Sequence, residues 1–238
     1  MNDVFAPFKW EAAFEQRDAL LQAFLNTIII SALALVIALA LGFLFGMMSY
    51  AKHKVPRGVN RVYVEIVQNI PLLLQIFVLY AVLPLFGLML GTFLIGVVGI
   101  GIYHGAYMSE VVNSGLASVP KGQFEAAKSQ GFTYWETMRN IILPQAIRTM
   151  LPPLAVQAAN LIKNTSVLAL IAGGELMYFS NSFAYSTSFY GPAYVVAGIL
   201  YFILCFPISR LAKRLEEKKR KDVKLEEEER TCQYYLHG

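Results

Sequence analysis

Four polar side chains, Gln157, Asn160, Lys163 and Asn164, stand in a segment with no other charge between Arg148 and Glu175. In a helix, at about 100° per residue, Gln157, Asn160 and Asn164 fall within about 60° of one another, with Lys163 some 60° to one side. An ammonium and an amide stripe suit recognition of a solute that carries a carboxylate. Lys163 has two open uses: it lines a polar path, or it pairs with Glu110, Glu175 or helix carbonyls to hold a bundle together. Gln75, Tyr103 and Tyr107 line the same path or pack in a core, and His104 reads as a packed, neutral histidine in preference to a proton relay. Glu65 and Glu110 serve as gate residues or as charges near lipid headgroups. Catalytic chemistry is missing from these segments, since they offer no nucleophile–base pair and no metal-ligand set. No GxxxxGK[ST] phosphate loop occurs either, so the chain has no nucleotide site of that kind.

The elements that position these residues follow from composition. The chain has 238 residues, is 56% hydrophobic and 15% charged, and has a mean hydropathy of +0.50. Soluble domains carry about 25% charged residues. Of its 20 basic and 16 acidic residues, 16 fall within 210–230, which leaves the rest of the chain nearly uncharged. A soluble enzyme, a disordered chain and a nucleic-acid binder are excluded; a polytopic membrane protein remains. Spanning helices need roughly 20 residues. The uncharged runs, with a break supplied by Pro84, Gly87 and Gly91, predict five spans: 26–50, 62–85, 92–116, a fourth through Lys163 to 174, and 193–211. Small-residue spacing at Gly42/Gly46, Gly87/Gly91 and Gly101/Gly105 either permits close helix contact or is the ordinary glycine content of membrane helices.

Seventeen of the 20 lysines and arginines fall on one side of this arrangement. Lys52, Lys54, Arg57 and Arg61 follow the first span, Lys121, Lys128, Arg139 and Arg148 follow the third, and the rest lie in the tail. That side is expected to be cytoplasmic, with the N-terminus outside and the C-terminus inside. Residues 1–25, with Phe5, Phe8, Trp10 and Phe14 among charges, read as an amphipathic lead-in at the outer interface and lack a signal-peptide pattern. Residues 212–238 read as a disordered charged tail whose basic part rests on anionic lipid. Cys205 and Cys232 are too differently placed to pair, and no zinc-ligand spacing occurs.

The loop at 118–150 is amphipathic. Pro120 opens a helix that runs to Gln130, and Gly131 occupies the left-handed position after it. Thr133 and Glu136 have capping-box spacing, with Phe132 at the staple position. A second short helix then runs to about Ile142, before Pro144. Phe124, Ala126, Ala127, Phe132 and Trp135 are left to dock, on the chain's own bundle or on another protein.

These residues carry a resemblance. Glu125-Ala126-Ala127, Gly131, Ile141 and Leu143-Pro144 at their spacing resemble the EAA loop of permease subunits in ATP-binding-cassette importers. Gly105-Ala-Tyr-Met-Ser-Glu-Val-Val, Pro71-Leu-Leu-Leu-Gln75 and Ile162-Lys-Asn-Thr-Ser-Val167 resemble the polar amino acid uptake branch. The resemblance covers about 26–211 and implies an all-α membrane protein of the type I importer permease fold, in a bacterial cytoplasmic membrane. It implies a coupling role for Glu125, Ala126, Ala127, Gly131, Ile141, Leu143 and Pro144 against an ATPase subunit. It places Thr165 and Ser166 on the substrate path with Gln157, Asn160, Lys163, Asn164, Gln75, Tyr103 and Glu110. The implied partners are two ATPase subunits that hold ATP and magnesium, a second permease (identical or related) and an extracellular solute-binding protein, with no cofactor on this chain. Gln68 and Asn113 depart from the branch, which often has arginine at each, so no arginine gate is expected there. With no acid facing the stripe to attract a cationic side chain, glutamine or glutamate is the expected substrate. The alternative is an ion-coupled carrier that uses Glu65, Glu110 and Lys163 as a relay.

Overall fold

A computed structural model describes residues 6–51 and 53–237, with side chains described as far as Lys221. Phe5 and Lys52 lie outside the described residues, as does the side chain of Cys232. No strand occurs among the described residues. Ten α-helices follow in order: α1 Pro7–Glu15, α2 Arg17–Ser49, α3 Lys54–Asn69, α4 Leu72–Phe77, α5 Thr92–Ala117, α6 Lys121–Ser129, α7 Tyr134–Thr137, α8 Leu143–Asn164, α9 Leu176–Thr187 and α10 Tyr190–His237. A wide π turn at Val78–Val82 and a 3₁₀ turn at Leu83–Phe86 extend α4, a π turn at Met138–Ile142 joins α7 to α8, and a tight 3₁₀ stretch at Thr165–Ile171 follows α8.

Among the described residues, four helical runs are long and apolar enough to cross a bilayer: Arg17–Ser49, Thr92–Ala117, Tyr134–Ile171 and Tyr190–Lys221. The expected second span differs from the prediction. It is not one helix over 62–85 but two pieces, Lys54–Asn69 and Leu72–Phe86, bent by 100°. Pro71 is the cause: it offers no N–H and forces Ile70 out of helical geometry, to φ −109° and ψ 129°. Gln75 then occupies the corner, donating from Nε2 to the carbonyls of Val67 at 2.8 Å and Ile70 at 2.9 Å.

α2 and α5 form the centre of the bundle. In lipid, close packing replaces the hydrophobic drive between helices, and glycine permits it here. A Cβ on Gly42 would stand 2.6 Å from Met108 Cβ, and one on Gly46 would stand 2.6 Å from Val112 Cβ. Gly101 and Gly105 do the same in the other direction, against Ile37 and Leu41. Gly87, in contrast, supplies a turn at φ +81° with open space around it. Ile30, Ile76, Ile100, Met108, Leu161 and Leu168 are fully buried where α2, α4, α5 and α8 meet.

The tail also departs from its expected disorder. α10 continues as helix beyond Leu211. Glu216/Arg220 and Glu217/Lys221 have the i, i+4 spacing that supports an exposed helix. At the other end, α1 packs on the start of α10 through Phe8, whose ring meets Phe189 edge-on at 5.6 Å, and Lys9 Nζ sits 5.5 Å from the Phe189 ring centre.

Candidate functional site

α5, α8 and α10 enclose a groove of about 780 Å3. Gln157, Asn160 and Lys163 of α8 line it together with Tyr107 and Glu110 of α5. Part of the stripe expected from helical spacing thus opens on one cavity, and it shares that cavity with Glu110 of α5 and Glu216 of α10, which corrects the expectation that no acid faces the stripe. Pro152 and Pro153 also line it; lacking N–H groups, they leave the carbonyls of Arg148 and Thr149 without helical donors. Lys163 makes no ion pair among the described residues, where the only salt bridges are Arg17–Asp18 and Arg61–Glu65. Its two expected structural partners are engaged elsewhere. Glu110 accepts a 2.7 Å hydrogen bond from Gln68 Nε2. Glu175 is fully buried at the start of α9 and accepts from the backbone N–H groups of Met177 and Tyr178 and from the Tyr201 hydroxyl.

The other expected path residues do not reach this groove. Asn164 Nδ2 donates to His104 Nε2 at 3.0 Å, a contact that explains how a histidine sits in the middle of α5. Thr165 is fully buried, donates to the Ile162 carbonyl at 2.7 Å and lies 3.4 Å from the Tyr201 hydroxyl. Tyr103 is hydrogen-bonded to Tyr107, hydroxyl to hydroxyl, at 3.1 Å. Gln75 is used at the Pro71 corner. Ser166 donates to the Lys163 carbonyl and lines a second cavity of about 360 Å3 with Lys163, Tyr194 and Tyr201. Lys163 therefore borders both cavities. The Glu175–Tyr201 contact escaped the sequence reading; an acidic residue directly before an apolar helix was its available signal.

The second assembly is the knuckle of α6 and α7. Gly131 has φ +84°; its N–H donates to the Lys128 carbonyl, and the Phe132 N–H to the Ala127 carbonyl. These two bonds form a Schellman stop. The capping box is complete, with Thr133 N–H donating to Glu136 Oε2 at 2.9 Å and Glu136 N–H to Thr133 Oγ1 at 3.3 Å. The knuckle's apolar surface is divided. Phe124, Ile141 and Leu143 pack on Val112, Leu116, Met138, Ile142 and Met150, so one half docks on the chain's own bundle. Ala127 is only 2% exposed, which differs from its expected contact with a partner: its methyl group is held inside this chain. Glu125, Ala126, Gly131 and Pro144 are exposed, and Trp135 is 78% exposed. A rigid, open face therefore stands on an anchored base.

Residues 38–221 match the family model for the binding-protein-dependent transport system inner membrane component. The chain is 40% identical over 208 residues to a probable glutamine ABC transporter permease protein, GlnM, of Bacillus subtilis strain 168, covering 86% of this chain and 96% of that one. It is 35% identical over 199 residues to a second, GlnP, of the same organism, covering 82% and 91%. Among solved structures, an amino acid ABC transporter superposes with a TM-score of 0.80 at 27% identity, covering 88% of this chain and 98% of that one. An all-helical bundle that matches these relatives nearly end to end leaves one assignment: the chain belongs to the binding-protein-dependent inner-membrane family and is a multi-pass permease of a bacterial ATP-binding-cassette importer.

Proposed function

We propose that this chain imports a polar amino acid, with glutamine or glutamate favoured, as one of two permeases that together form the translocation path. The supporting observation is Lys163: an ammonium without a carboxylate partner among the described residues, opening on a groove that also holds Gln157, Asn160 and Glu110. A substrate α-carboxylate supplies the missing counter-charge, the amides of α8 offer hydrogen bonds, and Glu110 brings a negative group to the same space. Two relatives named as probable glutamine permeases, at 40% and 35% identity, agree with this reading.

In this reading 26–211 is the permease domain, 1–25 is an outer interfacial lead-in, and the N-terminus lies outside and the C-terminus inside. An extracellular solute-binding protein delivers the substrate. Two ATPase subunits hold ATP and magnesium and engage the 118–150 loop through the exposed Glu125, Ala126 and Gly131. Ala127, Ile141 and Leu143 act indirectly, by fixing the knuckle to the bundle so that a push on its open face moves α8. A relay of Glu65, Glu110 and Lys163 is less well supported, because Glu65 is held by Arg61 at 2.7 Å and Glu110 by Gln68.

The test is purification of the chain with its ATPase subunits, followed by reconstitution and a scan of amino acids for stimulated ATP hydrolysis in the presence of the solute-binding protein. Stimulation by glutamine or glutamate supports the proposal. A chain that emerges without an ATPase, or that is stimulated only by cationic amino acids, overturns it.

A further inference from the structure

α3 has three faces rather than two. Asn60 and Val67 are buried against the bundle; between them Tyr63 stacks on Phe45 at 4.2 Å between centroids and donates to the Ile102 carbonyl at 2.7 Å. Roughly a third of a turn away, Val55, Val59, Val62 and Ile66 form a stripe at i, i+4, i+7 and i+11, each between 47% and 76% exposed. A further third round the helix stand Lys54, Arg57 and Arg61, all exposed. None of the described residues covers the valine stripe.

The course of α3 explains the pattern. α4 packs on α5, with Ile76 against Gly99, and the run Leu72–Phe86 meets α3 at 100°, so the two cannot both run along the axis of the bundle.

We infer that α3 lies in the plane of the membrane, in the leaflet nearest α6, with its valine stripe in the acyl chains and Lys54 and Arg57 on the phosphates of anionic phospholipid. Apolar and cationic faces side by side on one in-plane helix are the chemistry of an interfacial helix. Arg61 is already engaged by Glu65 at 2.7 Å, whereas Lys54 and Arg57 have no ion pair among the described residues. A second copy of the chain docked on the stripe would bring two cationic rims together, which disfavours it as the occupant. The inference rests on membrane location and not on the substrate, so the two readings fail separately.

The test uses the full-length permease with its ATPase subunits in lipid nanodiscs. Single nitroxides are attached at Val55→Cys, Val59→Cys, Val62→Cys and Ile66→Cys in a Cys205→Ser, Cys232→Ser background. Accessibility to oxygen against a nickel chelate gives each label's depth. The expected result is high oxygen access and one common depth for all four. A helix crossing the bilayer would spread the depths over about 16 Å, and that spread overturns the proposal. Low access to both reagents, with dipolar coupling between copies, also overturns it by showing a permease–permease contact. For the headgroups, spin-labelled phosphatidylglycerol is compared with spin-labelled phosphatidylcholine. The Lys54→Gln, Arg57→Gln double variant is expected to lose the preference for phosphatidylglycerol severalfold while still purifying with the ATPase. An unchanged preference refutes the cationic grip.

Discussion

The Tyr201 hydroxyl of α10 donates to the fully buried Glu175 carboxylate at 3.0 Å, while the same carboxylate accepts the first free N–H groups of α9, from Met177 at 2.6 Å and Tyr178 at 2.8 Å. One acid thus caps a helix and ties it to the next. Close by, Asn26 Nδ2 donates to the Gly174 carbonyl and Leu176 N–H to Thr27 Oγ1, which ties the same corner to α2.

Glu175→Ala leaves two backbone donors without partners inside the bundle, at a cost of about 1–3 kcal/mol for a buried group left unsatisfied. Tyr201→Phe removes only one of three donors, for a smaller loss of about 1 kcal/mol. Thermal unfolding of the purified complex should therefore rank wild type above Tyr201→Phe and Tyr201→Phe above Glu175→Ala. The reverse order would mean that the carboxylate does not hold α9.

Glycine at the α2–α5 contact is predicted to be irreplaceable where glycine at the turn is not. Gly46→Val places its Cβ 2.6 Å from Val112 Cβ and 2.8 Å from the Ser109 carbonyl oxygen, on helices that cannot part without opening the core. Gly91→Ala meets nothing within 4 Å, and Gly91 has φ −65°, a value alanine adopts freely. Limited proteolysis and yield of monodisperse protein should show a severe loss for the first and none for the second.

Gly131→Val tests the knuckle. Its Cβ would meet nothing within 4 Å, so the strain comes only from φ +84°, roughly 1–2 kcal/mol for a non-glycine residue. No bundle atom stands near that Cβ, and the variant is expected to reach the membrane in normal amount. Uptake should fall sharply, because the angle between α6 and α7 is lost. Normal ATPase docking and normal uptake would remove Gly131 from the coupling assignment.

What could be read beforehand divides by the range of the interaction. The knuckle was legible because a Schellman stop and a capping box are each made within six residues, with Gly131 as the key to the first and Thr133 and Glu136 to the second. Spans were legible from the absence of charge. The elbow at Pro71 was not, because apolar content runs through it unbroken and a proline inside a membrane helix often only kinks it. Path residues were legible only as a stripe. Whether an amide opens on the groove or turns inward depends on partners far along the chain: Asn164 meets His104 sixty residues away, Thr165 lies near Tyr201, and Gln75 folds back to its own corner. Ala127 shows the same limit, since the alanines beside Glu125 look alike in sequence and only one points into the core.

Lys163→Met separates a path lysine from a structural one. Burying an unpaired ammonium at mid-membrane costs roughly 2.5–3.5 kcal/mol, and no carboxylate among the described residues is paired to it. Methionine keeps the length of the side chain without that cost. If Lys163 serves the substrate, the variant unfolds at the same or a higher temperature than wild type while substrate-stimulated ATP hydrolysis is lost; Lys163→Arg, which keeps the charge, should retain part of it. If Lys163 instead holds helices together, stability falls with activity and arginine restores both in step. Unfolding temperature and stimulated hydrolysis, measured on the same preparations, decide between these outcomes, because only a path lysine lets the two move in opposite directions.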